Sequence, residues 1–345
     1  MAQQIWTRLS EILIYTLKIR IIAPKSTQSM IIQPILQNKP PYLQLIFFIL
    51  IILASLFLIN VVGILIAIPI YGRSFMDGMS AVSNYSDPEY LSKLKYLQIV
   101  NQLALFIVPV VVFAMFTGKT VHGYLKLNVR LPLVFILIAL CIIVVSLPVL
   151  NWIGDLNASM KLPQSFSGVE QWMRSSETQA DDITKGFLGS VSLSSFLVNM
   201  LMIAVLPAIG EEFFFRGIMQ RIFHEWFKNI HVAIFVTAFI FSAIHFQFFG
   251  FVPRFLLGLY LGYIFYWSGN LWVSIFVHFL NNGLIVIISY LSVIGITNMD
   301  YETFGSTSNS LILISTLILT MALTYLLYRF RKTKIEENIS EFPPQ

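Results

Sequence analysis

The sequence predicts an all-α fold, a polytopic transmembrane helix bundle of about eight spans with both termini cytoplasmic. Three observations predict it. Of 345 residues, 57% are hydrophobic and only 11% are charged, against about 25% charged in a soluble domain. The apolar residues fall into eight runs, each at or near the ~20 residues that cross a bilayer. The basic residues gather at alternate ends of those runs, as the positive-inside rule requires of cytoplasmic loops.

The runs are 43–71, 97–116, 131–150, 193–223, 232–249, 251–267, 271–294 and 311–328. The sixth is short and holds Pro253 near its start, so its bounds and those of the fifth are the least defined. The tail 1–42 carries Arg8, Lys18, Arg20, Lys25 and Lys39. Its Ile5, Leu9, Ile12, Leu13 and Leu17 recur at helical spacing. They predict either an amphipathic helix on the inner leaflet or a soluble helix packed on the protein. The first long apolar run starts too late for a cleavable signal peptide. Residues 43–150 form the first three spans, and the loop between the second and third carries Lys119, Lys126 and Arg130 without an acid. Segment 151–192 is acidic and extracytoplasmic, too long to lack structure of its own, with Trp152 and Trp172 as interfacial anchors. Residues 193–294 hold four spans. Segment 295–345 holds the last span and a basic tail opening with Arg329, Arg331, Lys332 and Lys334.

Composition also excludes functions. The net charge of +5 is dispersed over helix ends, so it marks topology and not a nucleic-acid surface. One cysteine, Cys141, rules out an intrachain disulfide framework and any site needing two thiol ligands.

The most informative stretch is Gly210-Glu-Glu-Phe-Phe-Phe-Arg-Gly-Ile-Met219. Charged groups inside a span cost at least about 2.5–3.5 kcal/mol each, so three within six residues demand partners or a function. Glu212 and Arg216 stand four apart on one helix face, acid first, and neutralise each other. Glu211 points about 100° away and is left for other work. Pro207, one turn upstream, kinks the helix or frees a carbonyl. The next run carries Phe241 and His245; the seventh carries His278, Asn281 and Asn282. Ideal helices place Glu211 about 20 Å, His245 about 21 Å, and His278 and Asn282 about 12 and about 18 Å from the cytoplasmic side. A carboxylate and two imidazoles in nearly one layer suit hydrolysis. Glu211 takes a proton from water and His245 shares the water and protonates the leaving amine. His278 and Asn282 donate to the oxyanion.

These residues spell Glu-Glu-x-x-x-Arg at 211–216, Phe-x-x-x-His at 241–245 and His-x-x-x-Asn at 278–282. The ordered set resembles the CPBP family of CaaX proteases and bacteriocin-processing enzymes, also called ABI, which includes the type II CaaX prenyl endopeptidases. The resemblance covers roughly 193–294. It implies an intramembrane glutamate-dependent endopeptidase with Glu211, His245, His278 and Asn282 catalytic, and Glu212, Arg216 and Phe241 supporting. The substrate it implies is a membrane-associated peptide or lipidated protein, prenylated or of the bacteriocin or signal-peptide kind. The membrane would be a bacterial inner membrane or a eukaryotic endoplasmic reticulum.

Glu211, His245 and His278 also have the ligand types of a catalytic zinc site, but no local metal-binding spacing. His224-Glu225 lacks the second His at position 228 that a zinc-protease helix requires. A metal-free mechanism is therefore expected, with zinc as the alternative cofactor. Two other functions compete with proteolysis: a non-catalytic membrane regulator or immunity protein of the same family, and a proton-coupled transporter. Against transport, the two halves show no paired helix interruption. Gly258 and Gly262 form a small-xxx-small spacing that predicts close helix packing.

Overall fold

The computed structural model describes residues 34–36, 38–72, 75, 85, 87–128 and 133–341, with side chains to 331. The expected amphipathic segment around Ile5–Leu17 lies outside the described residues. Ten helices follow in chain order among those described: α1 (Pro41–Tyr71), α2 (Pro88–Met115), α3 (Val121–Tyr124), α4 (Leu133–Ala158), α5 (Ser167–Leu188), α6 (Leu193–Phe227), α7 (Ile230–Ala243), α8 (Phe251–Ser268), α9 (Leu271–Val293) and α10 (Ser310–Glu341). No strand occurs among the described residues, and the expected all-α bundle is what forms.

Six of these helices, α1, α2, α4, α6, α9 and α10, are long and apolar enough to cross a membrane. Their outward faces are apolar: Leu53, Phe57 and Leu65 on α1 are 58%, 70% and 63% exposed, and Leu311 on α10 is 77% exposed. Such faces are stable only against lipid, and the chain is an integral membrane protein.

The expected fifth and sixth spans depart most from the sequence reading. The fifth run was drawn as 232–249, yet α7 stops at Ala243. A turn follows, with Phe246 in the left-handed region at φ 54°, and α8 starts at Phe251 with Pro253 and Arg254 in its first turn. At 14 residues, α7 is about 21 Å long, short of a full crossing. In a membrane, the turn 244–250 that follows so short a helix leaves bare backbone that must find partners. Those partners come from the segment expected to be the outer loop. Its first residues are not loop, because α4 continues to Ala158. Asn157 on that extension donates to the Phe248 carbonyl at 3.2 Å and accepts from Val252 N–H at 2.8 Å. The loop's remaining length folds as α5, an amphipathic helix that crosses the hairpin turn. Glu177 accepts from Phe249 N–H at 3.3 Å, Trp172 packs on Phe248 with ring centroids 5.2 Å apart, and the Arg174 guanidinium lies 4.4 Å over the Phe249 ring.

Helix ends are set locally. Asn229 and Asn270 cap α7 and α9 by accepting from His231 and Trp272 N–H, both within 2.9 Å, and Gly269 ends α8 at φ 63°, a backbone state open to glycine. Two cores result. One is aromatic and joins α1, α2, α6 and α7 through Phe48, Phe113, Phe215 and Phe241. The other joins α4, α8, α9 and α10 through Ala139, Ile143, Leu261, Val277 and Leu327.

Gly258 and Gly262 do bring helices together. A Cβ at Gly262 would stand 2.8 Å from Ile234 Cγ2 on α7, and one at Gly258 would stand 3.1 Å from Ala238 Cβ. The same closeness exposes their carbonyls to α6: Arg216 donates to Gly258 O at 2.8 Å and Gln220 to Gly262 O at 3.2 Å. Gly262→Val is expected to cost about 1–3 kcal/mol by overpacking, read as a lowered thermal midpoint in detergent. An unchanged midpoint would mean that α7 and α8 are free to part.

Candidate active site

The site is built on α6, and α6 is not a regular helix. Residues Met200–Val205 and Phe213–Met219 are π-helical, flanking the α-helical Leu206–Glu212. Such wide turns recur at functional sites because they reset the register of the side chains between them. Pro207 supplies part of the cause. It has no N–H to return to the carbonyl four residues back, which is that of Ile203. That carbonyl instead accepts from Asn282 Nδ2 on α9 at 3.2 Å. The carbonyl freed by Pro207 thus becomes the point where α9 is tied to α6.

Glu211 and Glu212 are buried, 6% and 0% exposed, as are Arg216 at 0% and His278 at 2%. The expected Glu212–Arg216 pair forms, with Arg216 Nη1 2.7 Å from Glu212 Oε1. Arg216 also lies against the Phe241 ring, 5.0 Å from its centroid. Glu212 has a second partner that spacing on one helix did not reveal: His278 Nδ1, 2.9 Å from the same Oε1. Arg216, Glu212 and His278 therefore form one chain of charge-assisted contacts across α6 and α9. Nδ1–H donates to the carboxylate, which fixes the ring's orientation and turns Nε2 toward Glu211. The Nε2 to Glu211 Oε2 separation is 3.9 Å, too long for a direct hydrogen bond. Glu211 is the carboxylate left without a bonded cation.

His245 is not on a helix as drawn from the sequence but in the turn that follows α7. Its Nδ1 is engaged by the Phe241 carbonyl at 2.7 Å, leaving Nε2. The Phe241 ring stands between the two imidazoles, 5.3 Å from His245 and 6.0 Å from His278 by centroids, so this residue spaces the pair besides packing. Asn282 is half-buried; one amide proton goes to Ile203 O, and its Oδ1 accepts from Asn281 at 3.0 Å. An amide has two protons, so one remains for a ligand.

Two residues near the site lie outside all three motifs. Gln102 of α2, 7% exposed, places its amide beside the Glu211 carboxylate as a hydrogen-bonding neighbour. It gets there because Gly210 admits α2: a Cβ at Gly210 would stand 2.9 Å from Phe106 Cβ. The signal was present in the sequence, since Asn101-Gln102 interrupts the second apolar run just as Glu211 interrupts the fourth. Arg254, at the start of α8, donates to Gln247 Oε1 at 2.7 Å and carries its charge within reach of Glu177 and Glu211. Glu177 itself lies outside the spans. Burial under the turn pushes its carboxyl pKa up, and the Phe249 N–H bond opposes that rise.

Zinc would need converging donors. Glu211, His245 and His278 do not supply them: among the described residues no group of three or more His, Cys, Asp or Glu side chains is placed to hold a metal ion. The misfit lies in the placement of the three groups, since each imidazole is held through Nδ1, by Glu212 or by the Phe241 carbonyl, and keeps Nε2 uncommitted.

Residues of the three motifs thus come together on α6, on α7 with the turn after it, and on α9: His278 bonds Glu212 and lies 3.9 Å from Glu211, the Phe241 ring packs near both imidazoles, and Asn282 is tied to α6 at Ile203. Residues 193–284 match the Rce1-like family, type II CAAX prenyl endopeptidases. The match contains every motif residue, and the resemblance to CaaX proteases read from the motifs is met over that stretch. The Rce1-like segment begins with α6 and ends in the middle of α9, so it holds the site but not α2 or α5, which supply Gln102 and Glu177. Over 86 residues the chain is also 28% identical to the uncharacterized protein YpbD of Bacillus subtilis (strain 168). That alignment covers 24% of this chain and 41% of the relative, so the chain spans less than half of that relative's length. No solved structure matches.

Proposed function

We propose that the chain is an intramembrane endopeptidase in which Glu211 activates water, with both termini on the cytoplasmic side. One observation carries this reading. Of two adjacent buried carboxylates, Glu212 is consumed by Arg216 and His278, and Glu211 is held beside them with no bonded cation. A structural acid would have been paired; a general base has to be free to take a proton.

The remaining roles follow from which atoms are uncommitted. His245, whose Nδ1–H is held by the Phe241 carbonyl, takes up at Nε2 the proton that Glu211 removed from water and delivers it to the leaving amine, which returns Glu211 and His245 to their starting states. Asn282, through its second amide proton, and His278, through Nε2 when both ring nitrogens carry protons, stabilise the oxyanion of the tetrahedral intermediate. Glu212 and Arg216 are positioning residues that act through His278. The substrate is a peptide presented at the membrane, and a prenylated CaaX-like end is the form suggested by the family match.

The experiment is hydrolysis of prenylated and unprenylated peptides by detergent-purified wild type, with and without chelator. Cleavage of both kinds would remove prenylation from the substrate definition, and inhibition by chelator would overturn the metal-free mechanism. Asn282→Ala is expected to lower turnover about 10²–10³-fold. Turnover within a fewfold of wild type would assign Asn282 only to the tie with Ile203.

A further inference from the structure

A cavity of about 800 Å3 opens at the end of the bundle opposite residues 117–128, away from the Rce1-like site and between α1, α2, the end of α5 and the start of α6. Its polar wall is made of Lys95, Ser92, Ser190, Ser194 and Ser195. Tyr71 and Tyr85 stand at its edge. Among the described residues no carboxylate lines it. Its lower wall is apolar, with Ile99, Val191 and Val198. The flank onto which it opens is apolar too: Val191, Leu193 and Leu197 are 63%, 63% and 58% exposed.

Lys95 is the unusual group. It lies within a membrane-crossing helix, yet it forms no ion pair with an acid among the described residues. The other lysine of the cavity, Lys185, is paired with Glu302 at 3.1 Å. The Lys95 ammonium donates to Ser195 Oγ at 2.9 Å and to the Phe187 carbonyl at 3.3 Å. An ammonium has three protons, so one is left. Two neutral acceptors do not balance its charge, and a half-buried cation without a counter-charge is costly. Ser92, already within 3.1 Å of the Tyr71 hydroxyl, and the serines at the start of α6 offer further donors around the same space.

A cation and a ring of hydroxyls at the end of a span, above an apolar wall that continues to the lipid-facing flank, match an amphiphile. We propose that this cavity holds the headgroup of an anionic phospholipid of the outer leaflet, with its phosphate on Lys95 and the adjacent serines and its chains along α1 and α6. The site is independent of the peptidase reading and shares no residue with it.

The test is native mass spectrometry of the full chain released from vesicles of mixed phosphatidylglycerol and phosphatidylcholine. Wild type is expected to keep phosphatidylglycerol in preference. Lys95→Gln is expected to reduce that preference roughly fivefold, the worth of one lysine against an anionic lipid, while Lys95→Arg keeps it. Unchanged preference in Lys95→Gln overturns the proposal. Should Lys95→Gln fail to fold, Ser194→Glu at the exposed rim places a carboxylate in the cavity without touching the Lys95 hydrogen bonds, and retained preference there overturns it equally. Inorganic phosphate shares the headgroup chemistry but not the chains. Complete displacement of the lipid by phosphate would make the site a phosphate site and sink the lipid assignment.

Discussion

Glu211→Gln is expected to abolish peptide hydrolysis, by at least about 10²–10⁴-fold, the usual worth of a general base, and to leave the fold intact. The two halves of this expectation have separate physical origins. The amide keeps the shape of the carboxylate but cannot take a proton from water. Stability is preserved because Glu211 is outside the Arg216–Glu212–His278 chain; His278 Nε2 stands 3.9 Å from it, beyond hydrogen-bond distance. Exchanging a buried carboxylate for an amide even relieves a desolvation cost, so the thermal midpoint in detergent should hold or rise. Turnover within threefold of wild type would remove Glu211 from the chemistry. A collapsed midpoint would make it a structural acid.

Arg216→Ala is expected to have the largest effect on stability, about 3–5 kcal/mol, because it leaves Glu212 as an uncompensated charge in the bundle. The guanidinium has four separate contacts: Glu212 Oε1 at 2.7 Å, the Gly258 carbonyl at 2.8 Å, the Phe241 ring at 5.0 Å and the Phe215 ring at 6.0 Å. All are lost together. Arg216→Lys keeps the charge but not the planar fork that reaches two acceptors, so it should fall between. A double-mutant cycle with Glu212→Gln isolates the pair. The double variant should be less destabilised than the sum of the singles, since removing both charges leaves neither stranded. Additive losses would show that the pair contributes little and that packing on Phe241 is what Arg216 supplies. The cycle also bears on chemistry, because His278 takes its orientation from Glu212.

Much of this was legible because polar groups inside apolar runs are rare and costly. Glu211, Glu212, Arg216, His278 and Asn282 stood out for that reason, and helical spacing paired Glu212 with Arg216 correctly. The role of Pro207 was half legible: a freed carbonyl was expected, but its acceptance of Asn282 was not, since the donor lies on another helix. Gln102 was missed because one amide in a span weighs less than a charge. The length of α7 was overdrawn because hydropathy does not distinguish an apolar helix from the apolar turn after it. Phe246, Phe248 and Phe249 are hydrophobic, yet they leave the helix to meet α5.

The sequence by itself determined the class, six of the eight expected crossing helices and the polar residues that stand inside the apolar runs, because burying a charge or exposing an apolar run to water has a cost that no context removes. Only the tertiary structure decided which carboxylate is free. Glu211 and Glu212 are chemically identical neighbours, and the difference between them comes from the π-helical turn of α6, the closeness allowed by Gly210 and Gly258, and the position of His278 on a helix more than fifty residues away. Those are distances between segments, and hydrogen bonding depends on distance and direction, neither of which is written in the order of residues along one helix.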